Sequence, residues 1–293
     1  MKMNNLKEKL KEYYDNYEEI INGYNQKRYV TLRVNTLKSN VDEVKKVFDN
    51  NDIKYESVSF YKDALVIKNK EEKDIINLNI YKDGKIYLQS LSSMLPPLFL
   101  SPNENENILD MTAAPGSKTS QIAALSENKV LITAVEKDKF RCERLKYNMD
   151  KLGVKKVNVI NIDAQRLDDF YSFDKILLDA PCSGSGTLNE KDFNSFDYSL
   201  VIKSVERQTK LINKALKMLK KDGILVYSTC SILKEENENI INEVIKNNDV
   251  EILSHNLNLD SIPKLDTLIP NTLCVCPNKY FEGFFVAVLK KKS

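Results

Sequence analysis

Residues 108–119 read Ile108-Leu109-Asp110-Met111-Thr112-Ala113-Ala114-Pro115-Gly116-Ser117-Lys118-Thr119. A short apolar run ends in Asp110, small residues follow, and a helical pattern begins at about Ser117. Strand, small-residue turn and helix start in that order make the first βα unit of a doubly wound sheet, where a ligand meets the strand's carboxyl end and a helix N-terminus. Two phosphate-binding patterns fail at this turn. The phosphate loop needs a Gly at its start and a Lys directly after its last Gly, but Ser117 intervenes, and the dinucleotide fingerprint lacks its glycines.

Moving outward from this unit, residues 130–135, 157–160, 175–178 and 224–227 read as further strands with helices between them. Alternation of this kind implies a mostly parallel, doubly wound, Rossmann-like α/β sheet. Residues 283–289 close the chain as a buried strand whose direction periodicity leaves open. Acidic residues follow successive strands: Asp110, Glu136, Asp163 and Asp179. Glu136 stands where doubly wound enzymes hold a ribose with a carboxylate, the alternative being a surface glutamate. Asp163 would accept from an adenine amino group, or equally cap a helix. One Gly among small residues admits a ligand close to the backbone without the dense N–H cradle that a pyrophosphate prefers. That suits S-adenosylmethionine, which carries no phosphate.

Cys182 follows a Pro directly after the fourth strand, and Cys230 follows Tyr227-Ser228-Thr229 directly after the fifth. A lone cysteine is most often an inert packing residue. Two at adjacent strand ends, each in a Ser/Thr-flanked turn beside the acidic positions, should line one crevice, because catalytic groups collect on such loops. Cys142 falls within the helix after Glu136. Cys274 and Cys276 offer two ligands at most, short of the four of a structural zinc site, so no metal is expected.

The composition sets outer bounds. With 42% hydrophobic and 29% charged residues over 293 positions, the chain has the make-up of a globular protein with a real core. No apolar run approaches the roughly 18 residues needed to span a bilayer, and the N-terminus lacks a secretory pattern, so a cytoplasmic protein with reduced thiols is expected. The single histidine, His255, excludes most Ser-His-Asp and multi-histidine metal schemes and reads as a solvated loop residue. A net charge of +2 gives little support for nucleic-acid binding by itself.

Residues 1–84 read as a small N-terminal unit. Leu6, Leu10, Tyr13, Tyr17 and Ile20 or Ile21 form one helix face. A strand at 29–35, a helix at 41–48, and strands near 56–59 and 64–67 follow, with a turn at Lys82-Asp83-Gly84 as the boundary to a second unit, 85–293. Arg28, Arg33, Lys38, Lys45 and Lys46, interleaved with Tyr24 and Tyr29, are the candidate RNA platform, against the alternative of surface lysines over core tyrosines.

The motifs together carry a resemblance. Arg33-Val34-Asn35-Thr36-Leu37-Lys38, Gln89-Ser90-Leu91-Ser92-Ser93-Met94, residues 113–119, Asp179-Ala180-Pro181-Cys182-Ser183-Gly184, Tyr227-Ser228-Thr229-Cys230-Ser231, Glu235-Glu236-Asn237-Glu238 and Gly283-Phe284-Phe285-Val286-Ala287 span nearly the whole chain. In these it resembles the Nol/Nop/Sun family of RNA cytosine-5 methyltransferases. The resemblance implies a class I methyltransferase domain at 85–293 behind an RRM-like RNA-binding domain at 1–84, acting on rRNA or tRNA as a monomer. It implies Cys230 as nucleophile, Cys182 as the group that helps release the product, and Lys118 and Asp179 in the catalytic pocket. Cofactor contacts are expected from Ala113, Ala114, Pro115, Gly116, Ser117, Lys118, Glu136, Arg141, Asp163 and Asp179.

The chemistry asks for such groups. Carbon 5 of cytosine is too poor a nucleophile to take a methyl group unaided, and a thiolate adding to carbon 6 makes it enamine-like. Hydrogen bonding or proton donation at N3 by Asp179 would stabilise the adduct, which requires that carboxyl to carry a proton in the closed site. Cys182 would remove the carbon 5 proton, and Lys118 would serve a thiol or orient Asp179, unless it is merely solvated at the helix start. Two other readings stand beside this one. The first is a methyltransferase of the same fold with a non-RNA substrate, which needs no cysteine pair. The second is an RNA-binding ribosome-assembly factor without turnover.

Overall fold

The computed structural model describes residues 6–189, 192, 195–255 and 257–293. Helices α1 (Leu6–Tyr13) and α2 (Tyr17–Tyr24) precede a small antiparallel sheet. Its strands are β1 (Val30–Val34), β2 (Tyr55–Ser57), β3 (Ala64–Ile67) and β4 (Ile86–Leu88), in the order β2-β3-β1-β4. Helix α3 (Val41–Asn50) starts on Asn40, whose side chain accepts from the Glu43 N–H, and it buries Val44 and Phe48, one helical turn apart. Those two close a core with Leu32, Val34, Leu65, Ile67 and Ile86. Short helices α4 (Glu72–Ile76) and α5 (Asn79–Lys82) lead into β4.

The turn at Gly84 lies inside this unit, because β4 pairs Leu88 with Leu32 and Ile86 with Val34 of β1. Helices α1 and α2 belong elsewhere. Leu6, Leu10, Tyr14, Ile20 and Tyr24 pack with Tyr227, Ile232 and Phe285 in the core of the large unit.

That unit continues with α6 (Leu91–Leu100), β5 (Asn107–Asp110), α7 (Ser117–Leu125), β6 (Leu131–Val135), α8 (Lys139–Leu152), β7 (Val157–Ile160), β8 (Phe173–Asp179), α9 (Ser199–Met218), β9 (Leu219–Thr229), α10 (Glu238–Asn247), β10 (Val250–Ile252), β11 (Lys264–Leu265), β12 (Leu273–Val275) and β13 (Phe284–Lys291). Its sheet has nine strands, in the order β11-β12-β13-β9-β8-β5-β6-β7, with β10 paired to β13. Strands β7, β6, β5, β8 and β9 are mutually parallel, whereas β13 runs antiparallel to β9 with Phe285 opposite Thr229. This is the doubly wound, Rossmann-like α/β sheet implied by the alternating pattern.

Strand side chains alternate between its two faces. Ile176, Leu178, Leu225 and Tyr227 enter one core with Leu211, Ile212 and Ala215 of α9. Leu177 and Val226 enter the other with Leu91, Met94 and Leu95 of α6 and Leu145 of α8. Burial on both faces explains why these strands read as continuous apolar runs. The carboxyl ends of β5, β6, β8 and β9 are therefore the free edge on which a ligand can sit. No described helix is long and apolar enough to cross a membrane.

Candidate active site

At that edge a cavity of about 250 Å³ is lined by Thr112 and Ala114 after β5, Glu136 and Arg141 after β6, Asp163 after β7, Asp179 and Cys182 after β8, and Cys230 after β9. Met111, Val135 and Leu211 supply apolar wall. Parallel registry gathers these residues, for Asp110 pairs with Leu177 and Asp179 with Ser228, so the strands end level.

Glu136 is almost fully buried; it accepts the Asp138 N–H at 2.9 Å and lies 3.5 Å from Arg141 Nη1. The other guanidinium nitrogen of Arg141 donates to the Ala114 carbonyl at 2.8 Å, tying the second acid to the small-residue loop. Asp163 is half-buried, accepts from the Gln165 N–H at 3.0 Å as a cap, and also faces the cavity. The cavity suits a nucleoside: carboxylates stand ready for hydroxyl and amino donors, beside apolar wall for a ring.

Of the loop residues expected at a cofactor, Ala114 lines the cavity, while Ala113, Pro115, Gly116, Ser117 and Lys118 shape the turn behind it. Gly116 has φ +105°, a backbone that residues with a Cβ rarely adopt, so the turn itself dictates glycine; a Cβ there would also displace the ends of the Met149 and Leu145 side chains. Asp110 turns inward to the Thr119 hydroxyl at 2.6 Å and joins β5 to α7; burial pushes its carboxyl up to about 6. It is a strut of the loop and does not line the cavity.

Asp179 is held from two sides. Lys118 Nζ donates to Oδ2 at 2.7 Å and to Ser93 Oγ at 2.8 Å, and the Ser228 hydroxyl donates to Oδ1 at 2.8 Å. Burial pushes the Lys118 ammonium down, but the ion pair outweighs it and the net shift is upward. Lys118 therefore keeps its ammonium proton despite burial. The motifs containing Ser93 and Ser228 carry no local sign of either contact.

The Sγ atoms of Cys182 and Cys230 lie 2.9 Å apart, both half-buried. The hydrogen bond to Cys230, then burial, pushes the Cys182 thiol well above the usual range. Cys182 thus holds its proton more tightly than a free thiol does. The two loops are zipped together: the Gly186 N–H donates to the Cys230 carbonyl at 2.9 Å, and Ser185 Oγ meets Ser231 Oγ at 2.8 Å. Beneath Cys182, Glu236 accepts from the Ser183 N–H and hydroxyl, a feature the acidic run at 235–238 did not disclose.

The remaining cysteines lie outside the site. Cys142, Cys274 and Cys276 are buried, and burial raises Cys276 to about 12. No cluster able to hold a metal occurs among the described residues. His255 is not a solvated loop residue: it is half-buried and edge-on to Phe99, with ring centroids 4.7 Å apart.

The expected RNA platform is dispersed. Arg33 is fully buried, donating to Gln89 at 3.2 Å and Ser120 at 3.0 Å, and Tyr24 is buried with its hydroxyl on the Ser185 carbonyl. Lys38 ties the Asp83 and Lys151 carbonyls together, and Arg28 reaches the Thr187 and Leu188 carbonyls. Charge and aromaticity in sequence do not distinguish internal residues such as Arg33 and Tyr24 from surface contacts. Lys45, over Tyr55, and Lys46 stay on α3, and Tyr29 packs against Tyr280.

A family profile described as 16S rRNA methyltransferase RsmB/F matches residues 97–290, and one described as a RsmF/B-like, ferredoxin-like domain matches residues 6–72. The chain is 36% identical over 275 residues to Ribosomal RNA small subunit methyltransferase F of Shewanella piezotolerans, covering 90% of this chain and 58% of that protein. It therefore spans well under two thirds of the length of such curated relatives. A solved methyltransferase homologue from Pyrococcus horikoshii superposes with a TM-score of 0.81 at 34% identity, covering 94% of this chain and 91% of its own. NSun6 from Pyrococcus horikoshii, solved with SFG, shares the fold with a TM-score of 0.88 at 24% identity over 99% of this chain and 98% of its own.

Proposed function

Because the chain belongs to the Nol/Nop/Sun family, within the 16S rRNA methyltransferase RsmB/F group, we propose that it methylates carbon 5 of a cytosine in small-subunit ribosomal RNA, with S-adenosylmethionine as donor. The observation that carries this reading is the thiol pair, Cys182 and Cys230, meeting at 2.9 Å beside Asp179 on one cavity wall. Methyl transfer to an oxygen or nitrogen needs no such pair. The names of the curated relatives support the choice of RNA.

Glu136 and Asp163 would hold the nucleoside of S-adenosylmethionine, with Arg141 fixing Glu136 and the loop at 112–116 passing beneath. When bound, that molecule supplies a sulfonium methyl group. Cys230, as thiolate, gives its electron pair to carbon 6 of a cytosine turned out of its stack. The ring electrons displaced toward N3 are met by a proton from the Lys118–Asp179 pair, leaving carbon 5 nucleophilic enough to take the methyl.

Once Cys230 is a thioether it no longer accepts from Cys182. The strongest cause holding the Cys182 proton disappears, and that proton passes to water. Cys182 then takes the proton from carbon 5, the C6–S bond breaks, N3 returns its proton to the Lys118–Asp179 pair, and the Cys230 thiolate returns. In this reading Cys182 becomes a base only after Cys230 has reacted. The N-terminal unit, reaching to Leu88, is proposed to hold the RNA strand.

The test is transfer of labelled methyl from S-adenosylmethionine to an unmodified 16S rRNA transcript, with a tRNA pool in parallel, followed by nucleoside analysis. Label in 5-methylcytidine of the 16S transcript is expected. Label confined to another nucleoside or to tRNA, or none at all, would overturn the proposal.

A further inference from the structure

Glu236 is completely buried under the turn that carries Cys182. Its carboxylate accepts the Ser183 N–H at 2.7 Å, the Ser183 hydroxyl at 2.6 Å and the Gln208 amide at 3.3 Å. The same Gln208 amide donates to the Pro181 carbonyl at 2.9 Å, and the Glu236 carbonyl accepts from the Tyr227 hydroxyl at 2.6 Å. Both chain neighbours of Cys182 are thereby fixed to the buried pair of Glu236 and Gln208. Neither Glu236, Gln208 nor Ser183 lines the cavity.

We propose that Glu236 is the positioning residue of the release step: through Ser183 and Gln208 it holds the Cys182 Sγ against Cys230 and aimed at the proton of carbon 5. This inference rests on the reading of Cys182 as the releasing group. Burying a carboxyl is costly, and burial pushes that of Glu236 above its ordinary value. A packing wedge of the same volume would avoid that cost. A carboxylate can take two donors from Ser183 at once, which sets the turn in one conformation. Its charge also helps retain the Cys182 proton, after the Cys230 hydrogen bond and burial.

Glu236→Gln keeps the volume and loses one of the two Ser183 acceptors. With S-adenosylmethionine and an unmodified 16S rRNA transcript it should add Cys230 to RNA and transfer one methyl per enzyme at the native rate. Release should slow about 10²-fold, the effect of misplacing a reacting group by about 1 Å. A covalent protein–RNA band should therefore accumulate on a denaturing gel. Native-rate release by folded Glu236→Gln overturns the inference, as does joint loss of adduct formation and methyl transfer, which a general scaffold role would give. Where Glu236→Gln does not fold, Ser183→Ala decides, with adduct accumulation supporting the inference and native release overturning it. Cys182→Ala is the control. Trapping by it and not by the Glu236 or Ser183 variant removes Glu236 alone; no trapping by Cys182→Ala removes the reading of Cys182 itself.

Discussion

Cys182 and Cys230 stand with their sulfurs 2.9 Å apart, and that contact, with burial, pushes the Cys182 thiol well above its usual range. In the proposed reaction the pair would divide the labour, with Cys182 holding its proton while Cys230 is free to accept from it. Cys182→Ala is expected to accumulate a covalent protein–RNA adduct in the presence of S-adenosylmethionine, and Cys230→Ala to form none. Denaturing gels of the two variants check this, and equal trapping by both would sink the assignment.

The Lys118–Asp179 pair should matter at the adduct step rather than in cofactor binding. Lys118→Met removes the ammonium and leaves Asp179 with the Ser228 hydroxyl alone. Methyl transfer is expected to fall by about 10²-fold or more, the usual worth of positioned proton transfer. S-adenosylmethionine affinity, measured by calorimetry, should change little. Affinity falling in step with rate would place Lys118 at the cofactor instead.

The parallel doubly wound sheet and its strand-end acids were legible because both follow from local rules: alternation of elements, and a ligand edge at the carboxyl ends. The cysteine pair was legible for the same reason, since adjacent strand ends must be near in space. What escaped depends on tertiary packing. Glu235-Glu236-Asn237-Glu238 stands out in the sequence only as a motif of the family resemblance, and nothing local shows that Glu236, Asn237 and Glu238 are all fully buried. Arg33 reads as a surface cation and is an internal strut between β1 and α7. Helix α6 carries Pro96 and Pro97 in its interior, against local propensity, and is held by Leu91, Met94 and Leu95 packed on the sheet. Strands β10, β11 and β12 have two or three residues each, too few for a period to show.

Gly116→Ala should both destabilise the protein and loosen the cofactor loop. The backbone there has φ +105°, and the new methyl would meet Met149 and Leu145. The left-handed backbone predicts a loss of about 1–3 kcal/mol. Thermal unfolding measures the first effect and S-adenosylmethionine titration the second. Native stability in Gly116→Ala would show that the turn relaxes at no cost.

Asp110 supplies a prediction in pH. Burial pushes its folded-state carboxyl up to about 6 from an ordinary 3.8, against the Thr119 hydroxyl that pulls it down. The folded protein thus binds this proton more tightly than the unfolded chain does. The group's contribution to stability is therefore lost as pH rises from 3.8 through 6 and is flat above that. The full excursion amounts to about 3 kcal/mol at 1.36 kcal/mol per unit. Asp110→Asn cannot titrate, so whatever constant cost it carries for the altered bond to Thr119, its stability relative to the native chain should improve between pH 4 and pH 7. Parallel denaturant unfolding at the two pH values measures this difference. A gap that stays the same, or that closes as the pH falls, would mean that Asp110 is already ionised in the folded protein across the whole range.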